Sequence, residues 1–110
     1  MTARLTAAML VSAMVRRVQA TGGNAVVLAK GDATAGAILI LLSERGVAGG
    51  MVERVLGPHG YGLMPTGPAD PNAAGAVSDY VARRRQRDPD LWVVELDGAD
   101  AAQVAAETMG

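Results

Sequence analysis

The chain has 110 residues, half of them apolar, with ten Lys and Arg against eleven Asp and Glu, one His and no Cys. That length predicts a single α+β domain over residues 1–110, with no room for a separate substrate or lid domain. The absence of Cys excludes a disulfide scaffold, a thiolate metal site and a cysteine nucleophile. One His excludes a site that needs two imidazoles from the same chain. We therefore predict neither a metal site nor a cofactor.

The first twenty residues combine Arg4 with an apolar run, which is the arrangement of an export signal. Arg16 and Arg17 interrupt that run, however, and no small-residue cleavage site follows it. No stretch approaches the roughly 18 apolar residues that a membrane span needs. We therefore predict a cytoplasmic protein without a membrane segment.

Residues 6–21 are predicted to form an amphipathic helix, because apolar side chains recur along one helical stripe and Gly22 and Gly23 follow it. Strands are predicted where short apolar runs lie between turn-forming residues. They cover residues 25–29, 37–42 and 51–56, with a short additional strand at 61–64. A glycine-rich turn precedes that additional strand.

The predicted strand at residues 37–42 is apolar on both faces. Its side chains are Ile38, Ile40 and Leu42 on one side and Leu39 and Leu41 on the other. An antiparallel strand with one face in water normally alternates polar and apolar residues. Either helices cover both faces of this strand, or one face meets another chain.

A second helix is predicted from about Pro71 to Arg87, because Asp70 is suited to be its N-cap and proline fits the first helical position. Pro89 prevents the helix from continuing. Its buried side is predicted to contain Ala73, Ala74, Val77, Tyr80, Val81 and the stem of Arg84. A last strand covers residues 91–96, and residues 100–110 form either a short helix or a frayed tail.

This order of elements favours an α+β fold, with a small antiparallel sheet of four to five strands and the two main helices packed on one face. The last strand either extends an edge of the sheet or inserts beside an earlier strand. With one Trp, two Tyr and no Phe, the chain buries little area per residue, which favours self-association.

Four of the ten basic residues lie within Arg83–Arg87, at the end of the second predicted helix. Cations there complement the helix dipole and have Asp88 and Asp90 as partners, so a solvated helix end is the simplest interpretation. The alternative is an anion site for the phosphate of a nucleic acid or a small ligand. Its candidate residues are Arg16, Arg17, Lys30, Arg83, Arg84, Arg85 and Arg87. A net charge of −1 and the absence of Phe weigh against nucleic acid.

Two loops offer other chemistry. The segment Lys30-Gly31-Asp32 could present backbone amides to an anion, but it lacks the spacing of a phosphate-binding loop, so a polar hairpin loop is the simpler interpretation. His59 could act as a general base, but no nucleophile motif accompanies it. A loop histidine without a catalytic role is therefore favoured.

The carboxylates are scattered along the sequence. Glu53 and Glu95 both fall in predicted strands, where two acids on neighbouring strands could share a proton or a metal ion. Pairing with Arg54, Arg16 or Lys30 is the more ordinary explanation.

Short motifs spread along nearly the whole chain point to one family. They are Arg4-Leu5, Val11-Ser12-Ala13, Arg16-Arg17, Gly23, Val27-Leu28, Lys30-Gly31-Asp32, Ala35-Gly36 and Arg83-Arg84-Arg85. The most specific is Asp-Pro-Asp-Leu-Trp-Val-Val-Glu at residues 88–95. Together they resemble the bacterial domain-of-unknown-function family 1491. The stretch from Glu44 to Ala69 matches poorly, so His59 is not a family feature. The resemblance implies a short bacterial intracellular protein without an established activity, and it supplies no catalytic residues.

The leading functional interpretation is a non-enzymatic binding or assembly module that acts as a homodimer through an apolar sheet face or edge. The two-sided strand at residues 37–42 motivates it, because so small a domain has difficulty covering both faces. The alternative is an anion-binding protein that uses the arginine cluster. A small hydrolase that uses His59 with a neighbouring carboxylate is a third interpretation.

Overall fold

A computed structural model describes residues 5–110, so Arg4 of the family-like pattern lies outside the described residues. Three helices and five strands form in chain order. They are α1 (Ala7–Ala20), β1 (Asn24–Ala29), β2 (Ile38–Glu44), β3 (Val47–Gly57), β4 (Gly60–Thr66), α2 (Ala76–Arg87), β5 (Trp92–Asp97) and α3 (Ala101–Met109). The predicted α+β class is confirmed.

The five strands form one sheet in the order β1-β5-β2-β3-β4. Strand β5 follows α2 in sequence and inserts between β1 and β2, where it pairs antiparallel with β1 and parallel with β2. The remaining pairs, β2–β3 and β3–β4, are antiparallel. The sheet is therefore mostly antiparallel, as predicted, with one parallel pair at its centre.

Helices cover both faces of this sheet. On one face, α1 and α3 pack on the first apolar cluster, whose strand residues are Ile38, Ile40, Trp92, Val94 and Leu96. On the other face, α2 packs on the second apolar cluster, which consists of Leu39, Leu41, Met51, Leu91 and Val93. Alternation along β2 and β5 places these two sets on opposite sides of the sheet.

The prediction that both main helices lie on one face is therefore wrong. Because β2 and β5 carry apolar side chains on both faces, a helix is needed on each side. Leu39 and Ile40, neighbours on opposite faces of β2, both have a relative exposure of 0%. A single copy of the chain thus shelters the strand whose two apolar faces motivated self-association.

The hairpin between β2 and β3 is longer than predicted. Its strands are joined by the two residues Arg45 and Gly46, which both have positive φ values, 52° and 79°. Such a turn matches the twist of a hairpin. The Asp97 carboxylate accepts hydrogen bonds from both turn amides, at 2.9 Å each, and so holds this non-glycine left-handed residue in place.

Helix α2 begins at Ala76 and not at Pro71, so the predicted start was wrong. Asp70 caps a turn instead, since its side chain accepts the amide of Asn72 at 3.0 Å. The Asn72 side chain in turn bonds both backbone groups of Ala48, which ties this segment to β3. Gly75 then adopts a left-handed conformation with φ 73° and separates the turn from the helix. Ala73 and Ala74, predicted to be buried, are consequently exposed.

The C-terminal segment forms α3, which is the helical alternative for residues 100–110. Four of its nine residues are buried, and they are Ala101, Val104, Ala105 and Met109. This helix packs beside α1 on the first apolar cluster.

The loop between β1 and β2 lies against the start of β5 and the start of α1. The Trp92 indole donates to the carbonyl of Asp32 at 2.7 Å. The carbonyls of Thr34 and Ala33 accept the first amides of α1, at 3.1 and 2.9 Å. The family-like segments around Lys30-Gly31-Asp32 and Asp88–Glu95 are thus in direct contact. Gly31 makes the contact possible, because a Cβ there would lie 2.1 Å from the carbonyl oxygen of Asp90.

We predict that Gly31→Ala lowers the free energy of unfolding by about 3 kcal/mol, since the added methyl group forces the loop away from β5. Urea denaturation followed by Trp92 fluorescence measures this change. Gly62→Ala is the matched control, because a Cβ at Gly62 meets nothing within 4 Å. Equal stability of the two variants would show that the loop does not need this close approach.

Candidate functional site

Strand β1 is an edge of the sheet with an exposed apolar surface. It pairs with β5 on one side, and no described residue pairs with its other side. Its three central side chains, Val26, Val27 and Leu28, are 51%, 43% and 46% exposed. Monomeric proteins usually protect an edge strand with charged residues or proline, because its free amides and carbonyls can pair with another chain. We call residues Asn24–Ala29 the β1 edge.

These side chains are exposed because β1 lies at the margin of the sheet, where the helices cover it only in part. Val27 pairs with Val94 on the α1 side, and Val26 pairs with Glu95 on the α2 side. Helix α2 packs on a cluster of residues from β2, β3 and β5 that does not include Val26. The register of β1 and β5 shifts between Val27 and Ala29, which marks a bulge and leaves Leu28 outside the regular pairing.

The opposite edge of the sheet is protected. Strand β4 has seven residues, which include Gly60, Gly62 and Pro65. Proline has no amide proton to donate, and glycine weakens a strand, so β4 is poorly suited to pair with a further strand. The two edges therefore differ in their capacity for strand addition.

Helix α1 also has exposed apolar side chains. It packs on β1 and carries Leu5 just before its start and Met9 in its first turn, at 55% and 52% exposure. A shallow cavity of about 540 Å³ lies on this outer face, lined by Leu5, Ala8, Met9, Ser12, Ala13 and Arg16.

The seven predicted anion-site residues do not come together. Arg16 and Arg17 lie on α1, on the opposite face of the sheet from α2. Arg16 is exposed, whereas Arg17 pairs with Glu107 of α3 and donates to Thr108 at 3.0 Å. Hydrogen bonds from Gln103 and Arg17 lower the pKa of the Glu107 carboxyl.

Arg84 is part of a polar clamp between α2 and the sheet. Its guanidinium donates to both carboxylate oxygens of Glu53 in β3, at 2.9 and 2.8 Å, and to the Tyr80 hydroxyl at 2.9 Å. The Tyr80 hydroxyl also bonds Thr66 of β4 at 2.5 Å. Glu53 thus pairs with Arg84 and not with Arg54, Arg16 or Lys30, a partner that only the packing of α2 could reveal. We call Glu53, Thr66, Tyr80 and Arg84 the polar clamp.

The polar clamp changes the acidity of two of its members. The bidentate hydrogen bond with Glu53 raises the pKa of Arg84 above its ordinary value. Partial burial acts to raise the pKa of the Tyr80 phenol, but its bonds to Thr66 and Arg84 outweigh burial and lower that pKa. Arg84 is therefore committed to a carboxylate and a phenol within the same chain.

The other basic residues of α2 have different environments. Arg85 donates to the backbone carbonyls of Lys30 and Pro89, at 3.2 Å each, and so ties the end of α2 to the loop after β1. Arg83, Arg87 and Lys30 are exposed. Asp88 accepts the amide of Asp90 at 3.1 Å instead of pairing with an arginine.

The two loops considered as sites differ in their contacts. In the loop after β1, the Asp32 carboxylate accepts the amides of Thr34 and Ala35, and the Asp32 amide donates to Asp90, so these amides are not presented to an anion. His59 is exposed in the turn between β3 and β4. Glu95 accepts a hydrogen bond from the buried Ser43 hydroxyl at 2.9 Å.

Within residues 5–110, no three Asp, Glu or His side chains are placed so that they could hold a metal ion.

Between Leu5 and Gly110, none of the helices combines the length and the hydrophobicity that crossing a bilayer requires.

The sequence shows the apolar character of the β1 edge, but the strand pattern alone does not show that this strand lies at an edge of the sheet. Residues 25–29 form an apolar run without any charge. Such a run is equally typical of a fully buried central strand, so its position in the sheet decides its meaning.

We predict that the coupling energy of Arg84 and Glu53, measured in a double-mutant cycle of Arg84→Gln and Glu53→Gln, is about 1–2 kcal/mol. The Arg17 and Glu107 pair should give a smaller coupling, because its side chains are 44% and 49% exposed against 27% and 23% for the first pair. Urea denaturation of the wild type, the four single variants and the two double variants measures both values. A larger coupling for the exposed pair would contradict the assignment of the polar clamp.

Comparisons with known proteins agree on the fold. The sequence model of DUF1491, a protein family of unknown function, matches residues 5–106. The crystal structure of a DUF1491 family protein from Caulobacter crescentus is 30% identical with a TM-score of 0.76, and the alignment covers 92% of this chain and 94% of that chain. An NMR structure of a DUF1491 family protein from the same organism is 31% identical with a TM-score of 0.74, covering 91% of both chains.

A third solved structure extends the comparison to another organism. The solution structure of a protein from A. tumefaciens is 28% identical with a TM-score of 0.70, covering 93% of this chain and 92% of that chain. No curated protein matches the sequence. The family match over residues 5–106 confirms the resemblance of the sequence motifs, and the chain belongs to the DUF1491 family.

Proposed function

We propose that this protein is a non-enzymatic cytoplasmic assembly module that forms a homodimer by pairing the β1 edges of two copies. The observation that carries the proposal is an edge strand whose outer side pairs with none of residues 5–110 and whose side chains Val26, Val27 and Leu28 are about half exposed. Antiparallel pairing of the two β1 edges would join the sheets of two copies into one sheet of ten strands, since each copy contributes five.

The β1 edge is suited to pair with itself. In a two-fold antiparallel pair, each residue opposes one at the same distance from the axis, so like charges must not face each other. Residues Asn24–Ala29 carry no charge, and the first charged residue is Lys30, beyond the bulge. With an axis near Val26, Val26 of one copy opposes Val26 of the other and Val27 opposes Ala25, so apolar residues face one another and no two charges do.

The protected opposite edge favours a closed dimer over a polymer. Pairing of β1 with β4 of the next copy would be head-to-tail and would continue indefinitely. Pro65 and the two glycines of β4 disfavour that arrangement. The isologous β1 pair closes after two copies. This route differs from the initial expectation that β2 motivates association, because α1, α3 and α2 already cover β2.

We predict that Val26→Lys raises the dimer dissociation constant at least 100-fold, or about 2.8 kcal/mol, because it places one lysine from each copy near the two-fold axis. Analytical ultracentrifugation at micromolar concentrations measures the change. Val47→Lys is the matched control, since Val47 is 62% exposed but lies at the start of β3, away from the edge.

Single cysteines provide a second measurement, because the chain contains none. Under mild oxidation, cysteine introduced at Val26, or at its neighbour Val27, should form an intermolecular disulfide, whereas Val47→Cys should not. The proposed dimer would be contradicted if the wild-type protein sediments as a monomer at about 100 µM and neither cysteine variant of the β1 edge cross-links.

An anion-binding protein is the second candidate function, and one observation favours it. Among residues 5–110, the only ion pairs are Arg17 with Glu107 and Arg84 with Glu53. Within this range, neither Asp88 nor Asp90 forms an ion pair with Arg83 or Arg87. Arg83 and Arg87 lie one helical turn apart and are exposed, so they could contact a phosphate together.

For this second candidate, we predict that a labelled single-stranded DNA oligonucleotide binds with an affinity that falls with salt, and that Arg83→Gln with Arg87→Gln lowers the slope by about 1.4. Fluorescence anisotropy measures the slope. Replacing Arg16 and Arg17 by Gln is the matched control, because these residues lie on the other face of the sheet. An equal effect of both double variants would remove α2 as the binding surface.

A further inference from the structure

Helix α2 is attached to the sheet differently from the other two helices. Helix α1 has five buried residues and a side-chain N-cap from Thr6, and α3 has four buried residues. Helix α2 has no buried residue, and its N-cap is Gly75, which provides no side-chain hydrogen bond. Its apolar contacts come from Val77, Tyr80 and Val81, all only partly buried. The helix therefore has a weaker apolar anchor than α1 or α3.

The surface beneath α2 is, in contrast, strongly apolar. Four of the five side chains of the second apolar cluster are at most 3% exposed, and the fifth, Leu41, is 7% exposed. This cluster lies on the opposite side of the sheet from α1 and α3. Removing α2 would uncover it without disturbing the first apolar cluster.

Polar contacts supply much of the attachment. The polar clamp joins the middle of α2 to β3 and β4, and Arg85 joins its end to the carbonyls of Lys30 and Pro89. Partly exposed polar contacts of this kind contribute less than buried apolar side chains, and solvent-exposed helices with few buried contacts open locally more readily than a core.

We infer that α2 is a lid: it opens as a unit over the second apolar cluster while the sheet, α1 and α3 remain folded. The segments on either side of it allow this movement, because residues 73–75, which follow the attachment of Asn72 to Ala48, contain no helix or strand, and Asp88 ends the helix before β5. The polar clamp is the latch that holds the lid closed. The side chains that carry the proposed dimer, Val26, Val27 and Leu28, do not pack on the second apolar cluster, so this inference stands apart from the proposed dimer.

Native-state hydrogen exchange on the full chain tests the lid. The amides of Tyr80–Arg87 should exchange at least tenfold faster than the slowest amides of β2 and β5. Their exchange should also depend less on added denaturant, because opening of α2 exposes less surface than global unfolding. Equal rates and equal denaturant dependence in α2 and β5 would overturn the inference.

Two variants separate the latch from a general loss of stability. Glu53→Gln should accelerate exchange in α2 three- to tenfold and leave the slowest amides of α1 nearly unchanged. Glu107→Gln is the matched control, because it breaks the ion pair between α1 and α3 and should leave α2 exchange unchanged. If Glu53→Gln accelerates α1 and α2 equally, α2 is not a separate unit. A monomeric wild-type protein would refute the dimer but would leave these exchange results valid.

Discussion

The parallel pairing of β2 with β5 at the centre of the sheet is the constraint on which the rest of the structure depends. Both strands carry apolar side chains on both faces, and the register places Leu39 beside Val93 and Ile40 beside Val94. A sheet with such a centre cannot leave either face in water. The chain meets this demand with α1 and α3 on one face and α2 on the other.

The insertion of β5 also determines what remains exposed. Because β5 takes the position next to β2, β1 becomes an outer strand, and its apolar residues lie beyond the cover of the helices. The centre of the sheet needs no second copy, whereas its β1 edge exposes apolar side chains and has backbone groups that pair with no other part of the described chain. Self-association is therefore argued from the edge of the sheet and not from its faces.

The two faces of the sheet also separate basic residues that the sequence analysis grouped into one candidate anion site. Arg16 and Arg17 lie with α1, and Arg84 lies with α2 on the other side, where Glu53 binds it. Helix α2 itself carries arginines of two kinds: Arg84 and Arg85 bind other parts of the chain, whereas Arg83 and Arg87 are exposed. Helix α2 combines an exposed basic surface with a polar attachment to the sheet. Of the three helices, it is the one whose attachment depends least on buried apolar side chains.

The sequence by itself determined the α+β class, the bounds of α1, the approximate strands and the alternation of β5, because these follow from local periodicity and turn residues. It did not determine the start of α2. Asp70 could cap a helix, but its side chain instead accepts the amide of Asn72 in a turn, and Asn72 binds Ala48 of β3. Only the tertiary structure decided that α2 crosses to the other face, that β5 inserts beside β2 and that Arg84 meets Glu53. The physical reason is that strand order and helix side depend on contacts between residues far apart in sequence, which local patterns do not encode.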